Sequence, residues 1–278
     1  MSLRRVATLL LRGQEKDHEP PEWQCFSEGW KTADPRVKGW NVESIAETQR
    51  AKWPEVLRLV GDTGPLPVHM WAQNLSRPGL AGSTVLMTFG YVLAFAAWKK
   101  DRLSLLDWGG GVGHYNLVSR ALLPQLELEY HCKDVPVLCR LGRELQPSVA
   151  FHEVDESCFA RDYDLVVANG SLEYLEDWSH TMRRLATASR GYVYVGRLPI
   201  VREVPSFTVI QRPYRHGYAT EYVSWVLNRQ EFLGHADRLG LRLVREIPVG
   251  DGPRIHGAPE QCEFTGFLFS RVESADGP

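Results

Sequence analysis

The sequence predicts an α/β fold: a mostly parallel, seven-stranded sheet with helices on both faces, closed by an antiparallel hairpin and preceded by a helical cap. Three observations carry that expectation. From residue 101 onward, short aliphatic and β-branched runs alternate with helical patterns, as in doubly wound sheets. The last two runs are joined by GDGPRIHGAPE, a Gly/Pro loop with no helical period, which suits a hairpin better than a parallel crossover. The first run, LSLLD, flows directly into WGGGVG, placing a glycine turn at a strand's carboxyl end, where open sheets bind ligands.

The elements follow in order. MSLRRVATLLLRG puts two arginines before an apolar run that is too short for a signal-peptide core and lacks a small-residue cleavage site. It reads as a surface helix or an unstructured start. Ser44 with Glu47 forms a capping-box signature opening SIAETQRAKWPEVLRLV, which stops at Gly61. The loop GDTGPLPVH follows. VLMTFGYVLAFAAW, within a helix from about 84 to 100, is 14 apolar residues, short of the roughly 20 a membrane span needs, and reads as a buried helix. Residues 1–100 form the helical cap and 101–278 the sheet domain. Its strands are expected at 103–107, 126–132, 149–154, 163–169, 191–196, 241–247 and 263–269, with helices at NLVSRALL, VLCRLGREL and WSHTMRRLATAS. Asp177 and Ser179 look like N-terminal residues of the last of these.

Composition narrows the function classes. The 278 residues are 44% hydrophobic and 24% charged, with a net charge of −2. These are values of a globular protein with no field to recruit nucleic acid or an anionic membrane. Five cysteines, scattered and without a C-x-x-C pair, read as reduced thiols in a cytoplasmic protein, with no zinc site and no disulfide framework.

The glycine turn excludes two nucleotide motifs. G-x-G-x-x-G fails at His114 in one register and at Asn116 in the other, and no Gly-Lys-Ser/Thr follows. What remains is Asp107-x-Gly109-x-Gly111-x-Gly113, an acid at a strand end followed by alternating glycines. A second acid, Asp134, ends the next strand, where one carboxylate can accept both hydroxyls of a ribose. A third, Asp155, follows the third strand, with Glu153 and Glu156 as competitors for its role.

Asp107-x-Gly109-x-Gly111-x-Gly113 resembles motif I of the class I S-adenosylmethionine-dependent methyltransferases, whose Rossmann-like topology also ends in a hairpin. The phrase CKDVPVL is similar to the Asp-Leu-Pro seen at that place in many small-molecule O-methyltransferases. DWGGGVGHY, YHCKDVPVL, the NGSLEYLEDW run and SFTVIQRPY together resemble a bacterial group of methyltransferases linked to surface-polysaccharide or other glycan loci. The resemblance implies S-adenosyl-L-methionine as cofactor. It places Asp107 at the methionine ammonium, Gly109, Gly111 and Gly113 against the cofactor, Asp134 on the ribose and Asp155 on the adenine amine. It also puts Asn169 and Ser171 beside the transferable methyl. No metal is implied.

The acceptor side is expected at about 198–230, longer than a plain crossover and therefore a candidate lid. Gln211, Tyr214 and Tyr218 are its candidate substrate contacts. Among its arginines Arg197, Arg202, Arg212 and Arg215 are candidates for an anionic group. His216 is the candidate general base, with His180 second, because an imidazole takes a proton near neutral pH. The expected activity is O-methylation of a small hydroxyl-bearing molecule, a sugar or glycan-related one. Two other classes stand beside it: a non-catalytic subunit that binds S-adenosylmethionine, and an NAD-dependent sugar-modifying enzyme.

Overall fold

A computed structural model describes residues 20–67, 70, 75–76 and 79–271. The N-terminal run MSLRRVATLLLRG and part of the loop after Gly61 lie outside the described residues.

Seven strands form the central sheet: β2 (Arg102–Trp108), β3 (Glu127–Lys133), β4 (Ala150–His152), β5 (Tyr163–Asn169), β6 (Ser189–Val201), β9 (Leu241–Asp251) and β10 (Glu263–Arg271). Their order is β4-β3-β2-β5-β6-β10-β9; all are parallel except β10, which runs antiparallel to both neighbours. The expected hairpin is therefore present, and its position beside β6 follows from the helix-free loop.

Among the described residues three further strands correct the count of seven. β1 (Trp23–Cys25) pairs with β7 (Phe207–Gln211), and β7 with β8 (Tyr222–Asn228), both antiparallel. β8 joins the main sheet in parallel at Ile200 and Val201, past the point where β5 ends beside β6 at Asn169 and Gly196. The segment expected to be a loop at 198–230 is thus mostly a ribbon that extends the sheet above its carboxyl edge.

Period-2 alternation explains how the sheet is covered. Leu106, Val166 and Ala168 face one side, with α6 (Trp178–Ala188), α7 (Arg229–Arg238) and Phe267 and Phe269 of β10. Leu103, Leu105, Leu165 and Val167 face the other, beneath α2 (Leu80–Ala96), α3 (His114–Leu122) and α4 (Pro136–Leu145). A one-turn helix, α5 (Asp155–Cys158), follows β4. α2, which the sequence assigns to the cap, packs as part of this second layer through Phe89, Val92, Leu93 and Ala96. The opposite face is not buried: Leu80, Met87, Tyr91 and Phe95 stand exposed, as does Trp98 just past the helix, so the expected buried helix is half-buried.

α1 (Glu43–Val60) lies over the carboxyl end of the sheet, packing Ile45, Trp53 and Val56 with Val112, Leu138 and Tyr218. The expected capping box does not form. The helix starts one residue earlier than Ser44, with no side-chain cap, and the Ser44 hydroxyl instead accepts from the Ala219 backbone N–H at 3.0 Å. Gly61 ends the helix as the sequence expects. Asp177 does cap α6, accepting from the His180 N–H at 2.9 Å and the Ser179 hydroxyl at 2.8 Å.

Candidate functional site

β2 delivers Asp107 and Trp108 to the top of the sheet, and the chain then turns through Gly109 to Gly113 before α3 begins at His114. Gly109, Gly111 and Gly113 all have positive φ, at 75°, 63° and 75°, the region where a Cβ is disfavoured. Close approach constrains the turn as well. A Cβ on Gly109 would stand 2.3 Å from the Ser171 Cβ, and one on Gly110 would stand 2.4 Å from Asp107 Oδ2. Gly110, which the alternating pattern leaves out, is therefore as constrained as its neighbours.

Two acids meet at this turn. Asp134 accepts from the Gly111 N–H through Oδ2 and from the Val135 N–H through Oδ1, each at 2.7 Å. Asp107 is almost fully buried and accepts from the Tyr130 hydroxyl. Burial pushes the Asp107 carboxyl up to about 7; the Tyr130 hydrogen bond opposes this and the nearby Asp134 charge adds to it. Burial also raises Asp134, against the two backbone N–H bonds and Lys133.

Asp107, Asp134, Gly109, Gly110 and Gly111 line a cavity of about 310 Å³; Gly113 does not, its open side facing Gln146 and Phe151. Its wall also holds Trp40, Gln49, Tyr115, Asn169 and Ser171. Asn169 Nδ2 donates to the Tyr115 hydroxyl at 2.5 Å, leaving Oδ1 buried without a partner; Trp40 Nε1 and Gln49 Oε1 are likewise buried and unpartnered. Ser171 Oγ donates to the Trp108 carbonyl at 3.0 Å and so pins the turn.

Asp155 stands apart from this wall. It accepts from the Trp108 indole N–H at 3.2 Å and pairs with Lys133 at 3.1 Å and Arg184 at 3.6 Å. These contacts engage the carboxylate with the Trp108, Lys133 and Arg184 side chains.

A second cavity, about 200 Å³, opens between β1, the 213–218 loop, β8 and the β9–β10 connection. It shares Trp40, Gly170, Tyr174 and Arg197 with the first. Of the expected acceptor residues, Gln211, His216 and Tyr218 line it. Gln211 accepts from the Tyr174 hydroxyl at 2.9 Å, and His216 Nε2 lies 3.3 Å from Arg215 Nε and 3.5 Å from the Glu22 carboxylate. Two candidates do not come together with these. Tyr214 is exposed, its hydroxyl drawn away to the buried Glu221. His180 sits exposed on α6 and lines neither cavity, because the Asp177 cap turns that helix start to solvent.

Among the four arginines, Arg202 pairs with Glu263, Arg212 with Glu221 and Arg215 with Glu22. Arg197 differs. Its φ of 53° is left-handed, its guanidinium lies 4.8 Å over the Phe264 ring, and it reaches both cavities. Glu173 is a group that sequence reasoning passed over. It is 3% exposed, lines the second cavity, and has Oε2 buried without a hydrogen-bond partner. Burial pushes its carboxyl up to about 7, against its own backbone N–H and the Arg197 charge.

Among the described residues no group of three or more His, Cys, Asp or Glu is placed to hold a metal, and no helix is long and apolar enough to cross a membrane. All five thiols are free.

Residues 88–198, under half of the chain, match the family model described as a methyltransferase domain. That span runs from α2 through the first five strands of the central sheet. Among solved structures, a protein from Galdieria sulphuraria provisionally assigned as a sarcosine dimethylglycine methyltransferase superposes with a TM-score of 0.50 at 12% identity, over 82% of this chain and 99% of that one. The fold is that of the Rossmann-like methyltransferases. The 1,6-didemethyltoxoflavin-N1-methyltransferase of Burkholderia thailandensis, solved with S-adenosylhomocysteine, gives a TM-score of 0.48 at 12% identity, over 83% and 88% of the two chains. The magnesium protoporphyrin IX methyltransferase of Synechocystis PCC 6803, solved with S-adenosylmethionine, gives 0.48 at 13% identity, over 83% and 98%. No curated protein sequence matches the chain.

Proposed function

We propose that this chain is an S-adenosylmethionine-dependent methyltransferase that methylates a hydroxyl of a small molecule, a sugar or sugar-containing compound. The observation that carries the reading is the common wall. A cavity lined by Asp107, Gly109 to Gly111 and Asp134 shares Trp40, Gly170, Tyr174 and Arg197 with a second, aromatic-lined cavity.

The residues fit the cofactor. The turn brings bare backbone to the cavity wall at Gly109, Gly110 and Gly111, where a Cβ at 109 or 110 would collide with Ser171 or Asp107. Each Asp134 oxygen accepts one N–H and retains capacity for a ribose hydroxyl. Among the described residues Gln49 Oε1, Trp40 Nε1 and Asn169 Oδ1 lack hydrogen-bond partners, as polar atoms do when a ligand is to supply them. Asp107 and Asp134 add negative charge toward a cationic amine and sulfonium. When bound, the cofactor supplies a methyl group on a positively charged sulfur, already activated for displacement. The protein's part is then to align the acceptor oxygen and to receive its proton.

The second cavity supports a polar ring as acceptor. Trp40 stacks on Tyr222 at 4.4 Å with the planes 3° apart, and Tyr174, Gln211 and Tyr218 place hydrogen-bonding groups around that apolar face. Such surfaces suit a sugar, which has flat C–H faces and hydroxyl edges.

Calorimetry with S-adenosylhomocysteine and with NAD tests the reading, followed by assay of methyl transfer to methyl glycosides. Binding of S-adenosylhomocysteine and a methylated product are expected. Binding of NAD alone would overturn the proposal, and tight cofactor binding with no methyl transfer would favour a non-catalytic subunit.

A further inference from the structure

We propose that Glu173 is the catalytic proton acceptor, its Oε2 taking the proton of the acceptor hydroxyl as that oxygen bonds to the methyl group. The inference rests on the methyltransferase reading above and adds to it the residue that activates the nucleophile.

The geometry comes first. Glu173 lies in the short 3-10 turn Leu172–Tyr174, immediately after Asn169, Gly170 and Ser171 at the end of β5. Its neighbours in sequence therefore wall the cofactor cavity while Glu173 itself lines the adjoining one. Among the described residues Oε2 is buried and has no hydrogen-bond partner. A buried carboxyl oxygen left without a donor costs stability, and such a cost persists where an entering molecule supplies the missing hydrogen. The group best placed to do so is an O–H of a molecule in the second cavity.

The surroundings suit a base. Arg197 from β6 acts on Glu173 directly and favours its ionised form. Tyr174 stands on the same turn; around the cavity are Glu22 beside β1, Arg215 and His216 in the loop, Tyr222 of β8 and Asp251 of β9. With its carboxyl near 7, Glu173 is ionised in an appreciable fraction at neutral pH and still basic enough to hold a proton in passing. His216, the candidate from sequence, is engaged with Arg215 and the Glu22 carboxylate.

The step balances. The acceptor O–H bond breaks and its proton goes to Glu173. The oxygen's electron pair forms the O–CH3 bond while the CH3–S bond breaks, and that bonding pair remains on sulfur as a neutral thioether. Glu173 returns the proton to solvent when products leave.

The experiment compares wild type with Glu173→Gln, which keeps the shape and removes the base. S-adenosylhomocysteine affinity is measured by calorimetry, and thioether release from S-adenosylmethionine is followed from pH 5.5 to 9 with methyl α-glucoside and catechol as hydroxyl probes. The expected result is unchanged S-adenosylhomocysteine affinity, a kcat lower by about 10² to 10⁴, and loss of a wild-type rise in rate through about pH 7. A glutamine variant with wild-type rate and pH profile overturns the assignment while leaving the methyltransferase reading intact; wild type that fails to bind S-adenosylhomocysteine overturns that reading itself. A second measurement decides the matter whether or not a probe is turned over. In protein with ¹³C-labelled glutamate carboxyls and saturated with S-adenosylhomocysteine, the resonance missing from the variant should shift when either probe is added. A resonance that neither probe moves overturns the assignment.

Discussion

The Asp134 carboxylate accepts the Gly111 backbone N–H at 2.7 Å, tying the end of β3 to the glycine turn that follows β2. One side chain thus shapes the turn and stands ready for a ribose. The two duties separate on substitution. Asp134→Asn keeps an oxygen for Gly111 but turns an NH2 toward the Val135 N–H and loses the charge, so S-adenosylhomocysteine binding should weaken by roughly ten- to a hundredfold with a smaller loss of stability than Asp134→Ala. Asp134→Ala should show the same binding defect and also lose about 1–3 kcal/mol of stability, because buried N–H groups are left unpaired. Calorimetry and urea unfolding on both variants test this. Equal stability of the two would show that the turn does not depend on Asp134.

Gly110→Ala should be worse than its ordinary backbone angles suggest. Its new Cβ would meet Asp107 Oδ2 at 2.4 Å and Cys132 Sγ at 2.9 Å. Neither neighbour is a flexible tip, since Asp107 and Cys132 are both buried. Overpacking of this kind costs about 1–3 kcal/mol, and moving Asp107 should abolish cofactor binding. Unfolding midpoints and calorimetry check it; a variant with normal affinity would mean the turn yields more readily than its packing implies.

How much of this was legible in the sequence depends on how local each signal is. The strand alternation, the glycine turn and the final hairpin are set by neighbours within a few residues, so 102–108, 163–169 and 263–271 read almost correctly. β7 and β8 read as part of a loop because β7 is anchored on distant Trp23–Cys25, and β8 on β7 and the end of β6, pairings that no local pattern announces. Ser44 looked like a cap until Ala219, far along the chain, claimed its hydroxyl. Trp40 and Gln49 reach the cavity only because α1 lies over the sheet's carboxyl edge, which no spacing announces. Glu173 sits in a polar-looking turn, and only packing from β6, β8 and α6 buries it.

Asp107 should make the protein less stable as pH rises. Its folded pKa, about 7, exceeds the unfolded value, near 4, so the folded state binds more protons between them. Stability therefore falls as pH rises through that window and levels off above about 7. Asp107→Asn retains an acceptor for Tyr130 and removes this slope; at pH 8 it should be more stable than wild type by about 2–4 kcal/mol yet bind no cofactor. Glu173, also near 7, leaves its own smaller slope in the variant. Urea titrations at pH 5 and 8 decide it. A variant less stable than wild type at pH 8 would show that Asp107 is not held against a desolvation cost.

Trp40 divides the two cavities, and its substitutions should distinguish a shared wall from two independent sites. Its ring stacks on Tyr222 at 4.4 Å and meets Tyr174 edge-on at 5.1 Å, while Nε1 has no partner. Trp40→Phe preserves the stack and removes only the indole N–H, so stability should change by less than about 1.5 kcal/mol. Trp40→Ala removes the wall, should cost about 3–5 kcal/mol, and should weaken cofactor and acceptor binding together because the cavities merge. The decisive measurement is acceptor-probe affinity with and without bound S-adenosylhomocysteine, in wild type and both variants. If Trp40 transmits contact between the sites, the cofactor should tighten probe binding in wild type and in Trp40→Phe, and lose that effect in Trp40→Ala. Independent binding in all three proteins would mean that the common wall separates the two molecules without coupling them.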